Sequence, residues 1–461
     1  MREVPELEPA PERVRRGSPA PPARPTVGVV LAAGRSERLR PVTGGGSKAL
    51  VRLGGLRLVE RAIRTLLAHG LDRVVVVVGY HAGPVTAVAG RTAPGRVQVV
   101  VAEGWEAGNG ASLAAAEPAL DGEPSFLLVT ADHVFGEGAL DELAEIGEPA
   151  VLVDPAPSPE VWDEATRVEV AADGSVVAIG KEVVAPLADA GAFLLPPDVF
   201  AAGAAARSRG DATLAGTIES LAAARRVAAV PLRTRAWWHD IDTPSDLERA
   251  RRLLRASLRR DSDGPVARIL NRRLSIPISW ALAPLRPSPD LVSLVAFLVG
   301  VASGIALGFG QAVAGGVLAQ ACSVLDGVDG EVARLTLRAG SKGALLDGFL
   351  DRLSDASIIA GLAVWAAGDG NPGSTVALAS IAATAGAMLS MATKDRVAAL
   401  GLEPPSERRI GWLFGGRDGR LLLVAALSIA GLPVLALAAV AATSLLSSAI
   451  RVLFARTYLP G

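Results

Sequence analysis

Four aspartates in two short segments carry the strongest chemical signal in the chain. The first segment reads Asp326-Gly-Val-Asp329-Gly330-Glu-Val-Ala333-Arg334, and after eight intervening residues comes Gly343-Ala-Leu-Leu-Asp347-Gly-Phe-Leu-Asp351. On a helix, carboxylates three or four residues apart share a face. Apolar runs flank both segments, and an isolated ionised carboxylate in such surroundings is costly. Four facing one another repel unless divalent cations lie between them, and oxygen donors favour Mg²⁺, Mn²⁺ or Ca²⁺ over zinc. Two such ions, ~4 Å apart, would neutralise a pyrophosphate and activate an attacking hydroxyl. The competing reading, helix-end charges paired with Arg334 and Arg352, suits one aspartate better than four at this spacing. Lys394, Arg396, Arg417 and Arg451 fall at expected helix ends, where snorkelling to a membrane surface is the ordinary role of such side chains. A phosphorylated acceptor would need a basic pocket near the aspartates, and these four are its candidates.

A second constellation precedes the first. Val27-Gly-Val-Val-Leu31-Ala32-Ala33-Gly34 reads as a strand entering a loop whose amides could hold a triphosphate, with Arg38 and Lys48 supplying charge. Gly108-Asn109-Gly110 precedes an expected helix start at Ser112. Asp132 closes the strand-like Phe126–Ala131, where an α/β sheet presents ligands. Trp238-His239-Asp240-Ile241-Asp242-Thr243-Pro244 adds a late carboxylate pair, in which Asp242 reads as a helix N-cap. His69, His81 and His239 lack metal-ligand spacing. All four lysines, Lys48, Lys181, Lys342 and Lys394, fall inside or beside a chemical motif, Lys181 within Ile179-Gly-Lys-Glu182.

The elements that must position these residues follow from composition and period. With 461 residues, 50% of them hydrophobic, and only 20% charged, the chain is long enough for two domains and apolar enough for membrane spans. A net charge of −1 gives no reason to expect a nucleic-acid partner. The single cysteine, Cys322, excludes an intramolecular disulfide. Residues 1–25, rich in Pro, Glu and Arg, read as a disordered tail without the apolar segment of a secretory signal. From 26 to 255, strand-like runs at Val27–Ala33, Arg73–Val78, Val97–Val101, Ser125–Thr130 and Ala150–Val153 alternate with amphipathic stretches such as Leu58–His69. That alternation predicts an α/β domain with a mainly parallel sheet. Residues 256–286 form a linker containing an amphipathic, membrane-surface helix over Val266–Leu285. Residues 287–461 hold apolar stretches at about 290–308, 311–325, 343–367, 374–393, 419–435 and 436–454, which predict six transmembrane helices. Basic residues at Arg268–Arg273, Arg286, Arg396, Arg408–Arg409 and Arg417–Arg420 place those loops and the α/β domain in the cytoplasm of a multi-pass inner-membrane protein.

The aspartate segments match every fixed position of D-x-x-D-G-x-x-A-R, eight residues, G-x-x-x-D-x-x-x-D, and here the chain resembles the CDP-alcohol phosphotransferase family. The resemblance, over roughly 265–455, implies six transmembrane helices and commonly a homodimer. It implies Asp326, Asp329 and Asp347 as metal ligands, with Asp351 as a further ligand and general base. Gly330, Ala333 and Arg334 would lie against the CDP moiety, and Asp355, outside the signature, is read as structural.

Residues 26–255 resemble the sugar-phosphate nucleotidyltransferases, which have a Rossmann-like α/β fold. That resemblance implies Asp132 and Asp240 as Mg²⁺ ligands (Mn²⁺ is an alternative at both sites) and Arg38 and Lys48 as catalytic triphosphate contacts. Leu31–Gly34, Asn109 and Gly110 would hold the nucleotide, and Lys181 the sugar phosphate. Ser36 and Ser47 depart from the family, standing where a glycine and a proline are usual. Ala131-Asp-His-Val134, Asp163-Glu-Ala-Thr-Arg-Val168, Ile179-Gly-Lys-Glu182, the Asp263–Ser275 junction and the domain order resemble fused inositol-1-phosphate cytidylyltransferase and di-myo-inositol phosphate phosphate synthases. The implied substrates are CTP and inositol 1-phosphate, with CDP-inositol as the intermediate of compatible-solute synthesis. The rival reading is a phospholipid synthase using CDP-diacylglycerol, with an N-terminal nucleotide-binding regulatory domain.

Overall fold

The computed structural model describes residues 24–402 and 415–458. Nearly all of the expected tail, and the basic pair Arg408–Arg409, lie outside the described residues. By packing, the chain divides into two units, Met1–Arg35 with Leu66–Trp238, and Ser36–Thr65 with His239–Gly461.

The first unit is built on a nine-stranded sheet. Its strands are β1 (Val27–Ala32), β2 (Arg73–Val78), β3 (Val97–Val101), β4 (Phe126–Thr130), β5 (Ala150–Asp154), β6 (Arg167–Val170), β7 (Val176–Gly180), β8 (Leu187–Leu195) and β9 (Ala228–Pro231). The order is β7-β6-β8-β4-β1-β2-β3, with β5 pairing both β8 and β9. β4, β1, β2 and β3 run parallel, whereas β8 lies antiparallel to β4, β5 and β6. β1 and β2 read as unbroken apolar runs because both faces of a parallel sheet are covered. Val29, Val75, Phe126, Leu128 and Phe193 pack into one core with the helical residues Leu113 and Ile218. All five strands expected from sequence are present, while β6, β7 and β8 add an antiparallel portion to a sheet expected to be mainly parallel, and β9 runs parallel to β5.

In the second unit a short hairpin, Arg52–Leu53 paired with Leu56–Arg57, leads into helix α1 (Leu58–Ala68), most of which belongs to this unit. It resumes with α2 (Pro244–Ala256), whose start is fixed by a capping box between Thr243 and Asp246. Asp242 is therefore not the N-cap that the sequence suggested; Thr243 holds that position. The stretch 267–285 is helical throughout, a π-type turn at Ala267–Asn271 leading into α3 (Arg272–Leu282) and a 3₁₀ turn.

Among the described residues six helices follow: α4 (Pro289–Gly308), α5 (Ala312–Leu335), α6 (Ser341–Gly368), α7 (Gly373–Ala399), α8 (Arg417–Ile429) and α9 (Pro433–Tyr458). Among the described residues, four helices (α4, α5, α7 and α9) are long and apolar enough to cross a membrane, fewer than the six spans expected. α6 has the length, but Asp347, Asp351, Arg352 and Asp355 make it too polar, and α8 has 13 residues, about 20 Å of helix. Large apolar side chains point outward from these helices, Leu298 at 55% and Val313 at 61% exposure, leaving apolar surface without a partner in the chain. Inside, α4 approaches its neighbours backbone to backbone. A Cβ on Gly361 of α6 would sit 2.0 Å from the Gly304 carbonyl oxygen, and one on Gly300 would meet both Ser354 of α6 and Cys322 of α5. Small residues at such crossings let membrane helices pack closely without a hydrophobic driving force.

Candidate active sites

In the second unit, α5 and α6 bring the four signature aspartates together. Single carboxylate oxygens of Asp326, Asp347 and Asp351 lie within 4.8 Å of one another. Asp329 is buried, takes a 2.5 Å hydrogen bond from Ser293 Oγ, and also accepts from the Gly330 amide. Arg417, the first residue of α8, inserts its guanidinium among them. Its Nη1 lies 2.8 Å from Asp326 Oδ1 and 2.9 Å from Asp351 Oδ1, while Nε donates to Asp355 Oδ1 at 3.0 Å. Asp355, read from sequence as structural, thus orients Arg417. An oxygen-only donor set with three converging carboxylates fits a hard divalent cation and does not suit zinc.

These aspartates line a cavity of about 940 Å³ whose wall includes Gly330, Ala333, Arg334, Lys394, Arg417 and Arg451. Arg451 is buried and donates to the Ser390 carbonyl and hydroxyl, both at 2.9 Å. Arg396, the remaining phosphate candidate, is exposed in the last turn of α7 and is not among the lining residues. Two residues went unassigned in the sequence. Arg420, also in the wall, donates to Ser390 Oγ at 3.3 Å and faces Asp355 at 3.6 Å. Asp418 is held by Asn271 Nδ2 at 2.8 Å and Ser323 Oγ at 2.9 Å. Their signal was ionisable side chains at the start of an apolar helix, which are functional candidates by default.

Behind the signature, Glu331 is fully buried. It accepts from Ser275 and Ser279 at 2.6 Å each and from Arg272 Nη1 at 2.7 Å, and Arg272 also pairs with Asp263. Helix α3 is thereby fastened to the turn of α5 that carries Asp329 and Gly330. Each of these partners is a hydrogen-bond donor, so the buried carboxylate oxygens are satisfied without water.

The expected nucleotide-transfer residues fall in both units. In the first, Leu31, Ala32 and Ala33 are buried, leaving only their backbone for a ligand, and Gly34 is exposed. Asn109 is exposed at the first turn of a short helix that starts earlier than the expected Ser112. Gly110 is buried beneath the backbone of Ala212 and Thr213, where a Cβ would clash at 2.5 Å. Lys181 is exposed just beyond β7. Asp132, two residues past β4, contacts His133 Nδ1 at 2.9 Å, and that nitrogen also meets Thr130 Oγ1 at 2.6 Å. The His133 ring stacks on Trp238 at 5.5 Å and fills the space that a Gly191 side chain would take.

In the second unit, Lys48 is buried at 6% exposure, 4.0 Å from Asp240 Oδ1 and 2.5 Å from Asp242 Oδ1. Arg38 pairs with the other oxygen of Asp242. Asp242 therefore tethers both cations expected to meet the triphosphate, a role its place in the sequence did not reveal. Ser36 has φ 52°, the left-handed region where a side chain costs about 1–2 kcal/mol, which accounts for the family's glycine there. Ser47 has φ −69°, within the range of proline, and its hydroxyl caps the turn carrying Lys48.

Asp189 on β8 keeps some exposure, yet packing around it raises its carboxyl from 3.8 to about 6, against a hydrogen bond from the Gly191 amide and the nearby His133. A raised carboxylate makes the folded protein bind more protons than the unfolded chain between these values. Stability should therefore fall as pH rises from about 4 to 6, by at most about 3 kcal/mol, and stay level above. Asp189→Asn should remove this component, so the difference between variant and wild-type melting temperatures should grow over that window. A difference independent of pH would contradict the assignment.

Residues 28–257 match the profile of the MobA-like NTP transferase domain, and residues 287–401 that of the CDP-alcohol phosphatidyltransferases. A bifunctional IPC transferase and DIPP synthase of Rubrobacter xylanophilus is 36% identical over 421 residues, covering 90% of this chain and 92% of that protein. Its counterpart in Archaeoglobus fulgidus is 31% identical, over 86% of this chain and 76% of that protein. Among solved structures, the inositol-1-phosphate CTP transferase from T. maritima is similar at 25% identity and a TM-score of 0.45, covering 49% of this chain and 92% of that one.

Proposed function

Because the chain belongs to the family of bifunctional IPC transferases and DIPP synthases, we propose that it makes a CDP-alcohol in its N-terminal half and consumes it in its membrane half. In the first reaction CTP and inositol 1-phosphate give CDP-inositol and pyrophosphate. In the second, a hydroxyl of another inositol 1-phosphate attacks the phosphorus bearing the inositol of CDP-inositol, forming phosphorylated di-inositol phosphate and expelling CMP. The observation that carries this reading is the cavity in which the signature aspartates stand beside Lys394, Arg417 and Arg451. One donor pyrophosphate and one phosphorylated acceptor require that pairing of carboxylates with cations.

In the first reaction Arg38 and Lys48 hold the triphosphate, Leu31–Gly34 with Asn109 and Gly110 hold the nucleotide, and Lys181 meets the inositol phosphate. Asp132 and Asp240 are assigned as metal ligands on the family resemblance. In the second, Asp326, Asp329, Asp347 and Asp351 hold divalent ions, with Mg²⁺ first and Mn²⁺ as alternative. Bound there, such ions would supply charge neutralisation for the pyrophosphate. Asp351 takes the proton of the acceptor hydroxyl, Gly330 and Ala333 leave room for the nucleotide, and Arg334 meets its phosphate. Lys394, Arg417 and Arg451 hold the acceptor phosphate, and Arg396 is the weakest member of that set. We assign residues 26–255 to cytidylyl transfer and 287–461 to phosphotransfer, joined through 256–286. The protein would lie in the inner membrane as a homodimer, with both sites facing the cytoplasm.

Full-length protein in detergent, given CTP, Mg²⁺ and inositol 1-phosphate, should show CDP-alcohol resonances by phosphorus NMR. A phosphodiester, a phosphomonoester and CMP should follow. If CTP persists while CDP-diacylglycerol yields a lipid product, the chain is a phospholipid synthase instead.

A further inference from the structure

The segment between the triphosphate contacts and the end of α1 belongs by sequence to the nucleotide-transfer half, since residues 28–257 match that domain. Its partners in the second unit lie at the end of the helix that carries Asp326 and Asp329. Arg61 is buried at 3% exposure, and one of its terminal nitrogens, Nη2, donates at 2.9 Å to both the Leu53 and the Leu335 carbonyls. Arg64 Nη1 donates to the Thr336 carbonyl at 2.7 Å. Leu335 ends α5 and Thr336 is its C-cap. The last carbonyls of a helix lack intrahelical donors, and cations there complement the helix dipole.

The same face is fixed a second time. Arg286 donates to both carboxylate oxygens of Glu60, at 2.7 and 2.6 Å, and to the Gly55 carbonyl at 3.0 Å. Gly55, at φ 85°, lies so close that a Cβ would fall 2.3 Å from the Ala283 carbonyl oxygen. Arg61 lies inside this contact, and its hydrogen bonds reach carbonyls. Burying a guanidinium is costly, and an apolar side chain would fill the space at lower cost. What the guanidinium provides and an apolar side chain does not is the donor, with its charge, that caps α5 one residue beyond Arg334.

We propose that Arg61, aided by Arg64, is a positioning residue for phosphotransfer: a side chain of the nucleotide-transfer half that sets the place of the last turns of α5, and with them Asp329, Gly330 and Arg334. The inference rests on the two-reaction reading above. It makes the first half necessary to the second irrespective of the supply of CDP-inositol.

The test measures the two reactions separately in full-length Arg61→Met. Pyrophosphate release from CTP and inositol 1-phosphate reports the first, and CMP release from supplied CDP-inositol and inositol 1-phosphate reports the second. CMP release should fall at least tenfold and KM for CDP-inositol should rise. KM for inositol 1-phosphate should hold within twofold, because its proposed contacts lie on α7, α8 and α9. Pyrophosphate release should change less than twofold, and Arg61→Lys should recover part of the loss. General loosening of the membrane helices would move both KM values together, and that result, or unchanged CMP release, overturns the proposal. If Arg61→Met loses both activities, the half-buried Arg64→Gln decides: a severalfold loss confined to CMP release supports it, and unchanged CMP release overturns it. Wild-type protein that performs neither reaction would refute the underlying functional reading rather than the role of Arg61.

Discussion

Replacing Asp351 with asparagine should stop CMP release while CTP is still consumed, so that CDP-inositol accumulates. The substitution keeps the size of the side chain and removes its charge and basicity. Asp351 Oδ1 is 2.9 Å from Arg417 Nη1, which it shares with Asp326. The amide cannot accept the hydroxyl proton, and general-base contributions of this kind are about 10²–10⁴-fold. A drop of that size in CMP release, with pyrophosphate release within twofold of wild type, is the expected result in phosphorus NMR. CMP release within threefold of wild type would remove Asp351 from the proposed chemistry.

The second large effect is the reverse block. Lys48→Met should lower pyrophosphate release about 10²–10³-fold, the usual loss for one aligned group opposite developing phosphate charge. Conversion of supplied CDP-inositol should be unaffected. Asp242 keeps Arg38 as a partner, so the loss of Lys48 does not leave that carboxylate unpaired. Mixing Lys48→Met protein with Asp351→Asn protein then asks whether CDP-inositol leaves the molecule that made it. Recovery of CMP release to near half the wild-type rate means free release; no recovery, with both single blocks intact, means internal transfer.

The features legible in the sequence were those carried by period and by fixed spacing. Unbroken apolar runs gave β1, β2 and β4, and the i, i+3 and i, i+4 aspartates gave the carboxylate cluster. β8 was missed because Leu187-Ala-Asp-Ala-Gly-Ala-Phe-Leu-Leu carries three alanines and a glycine, weak strand formers that pairing on both sides holds extended. Asp242 was misread because a carboxylate shortly before Thr-Pro resembles a cap, and only tertiary contact with Lys48 and Arg38 shows otherwise. Glu331 occupies a variable place in the signature, so spacing could not show its contacts with α3. The two expected spans that lack the length or apolar composition to cross a membrane, α6 and α8, are those that carry Asp347, Asp351, Asp355 and Arg417 of the site. Ser36 was noted as a departure, but its strain is a backbone angle that no composition rule reports.

The crossing of α4 with α5 and α6 gives the catalytic geometry an unusual gauge. Gly361 lies ten residues beyond Asp351, about 15 Å along the same helix. A single methyl group added at Gly361 has no room against Gly304, so it acts as a shim that tilts α6 and changes the gap between its aspartates and those of α5. The distance between the two carboxylate pairs is thus set partly by atoms that are missing far from the chemistry, and graded substitution at this crossing would adjust the site without touching it.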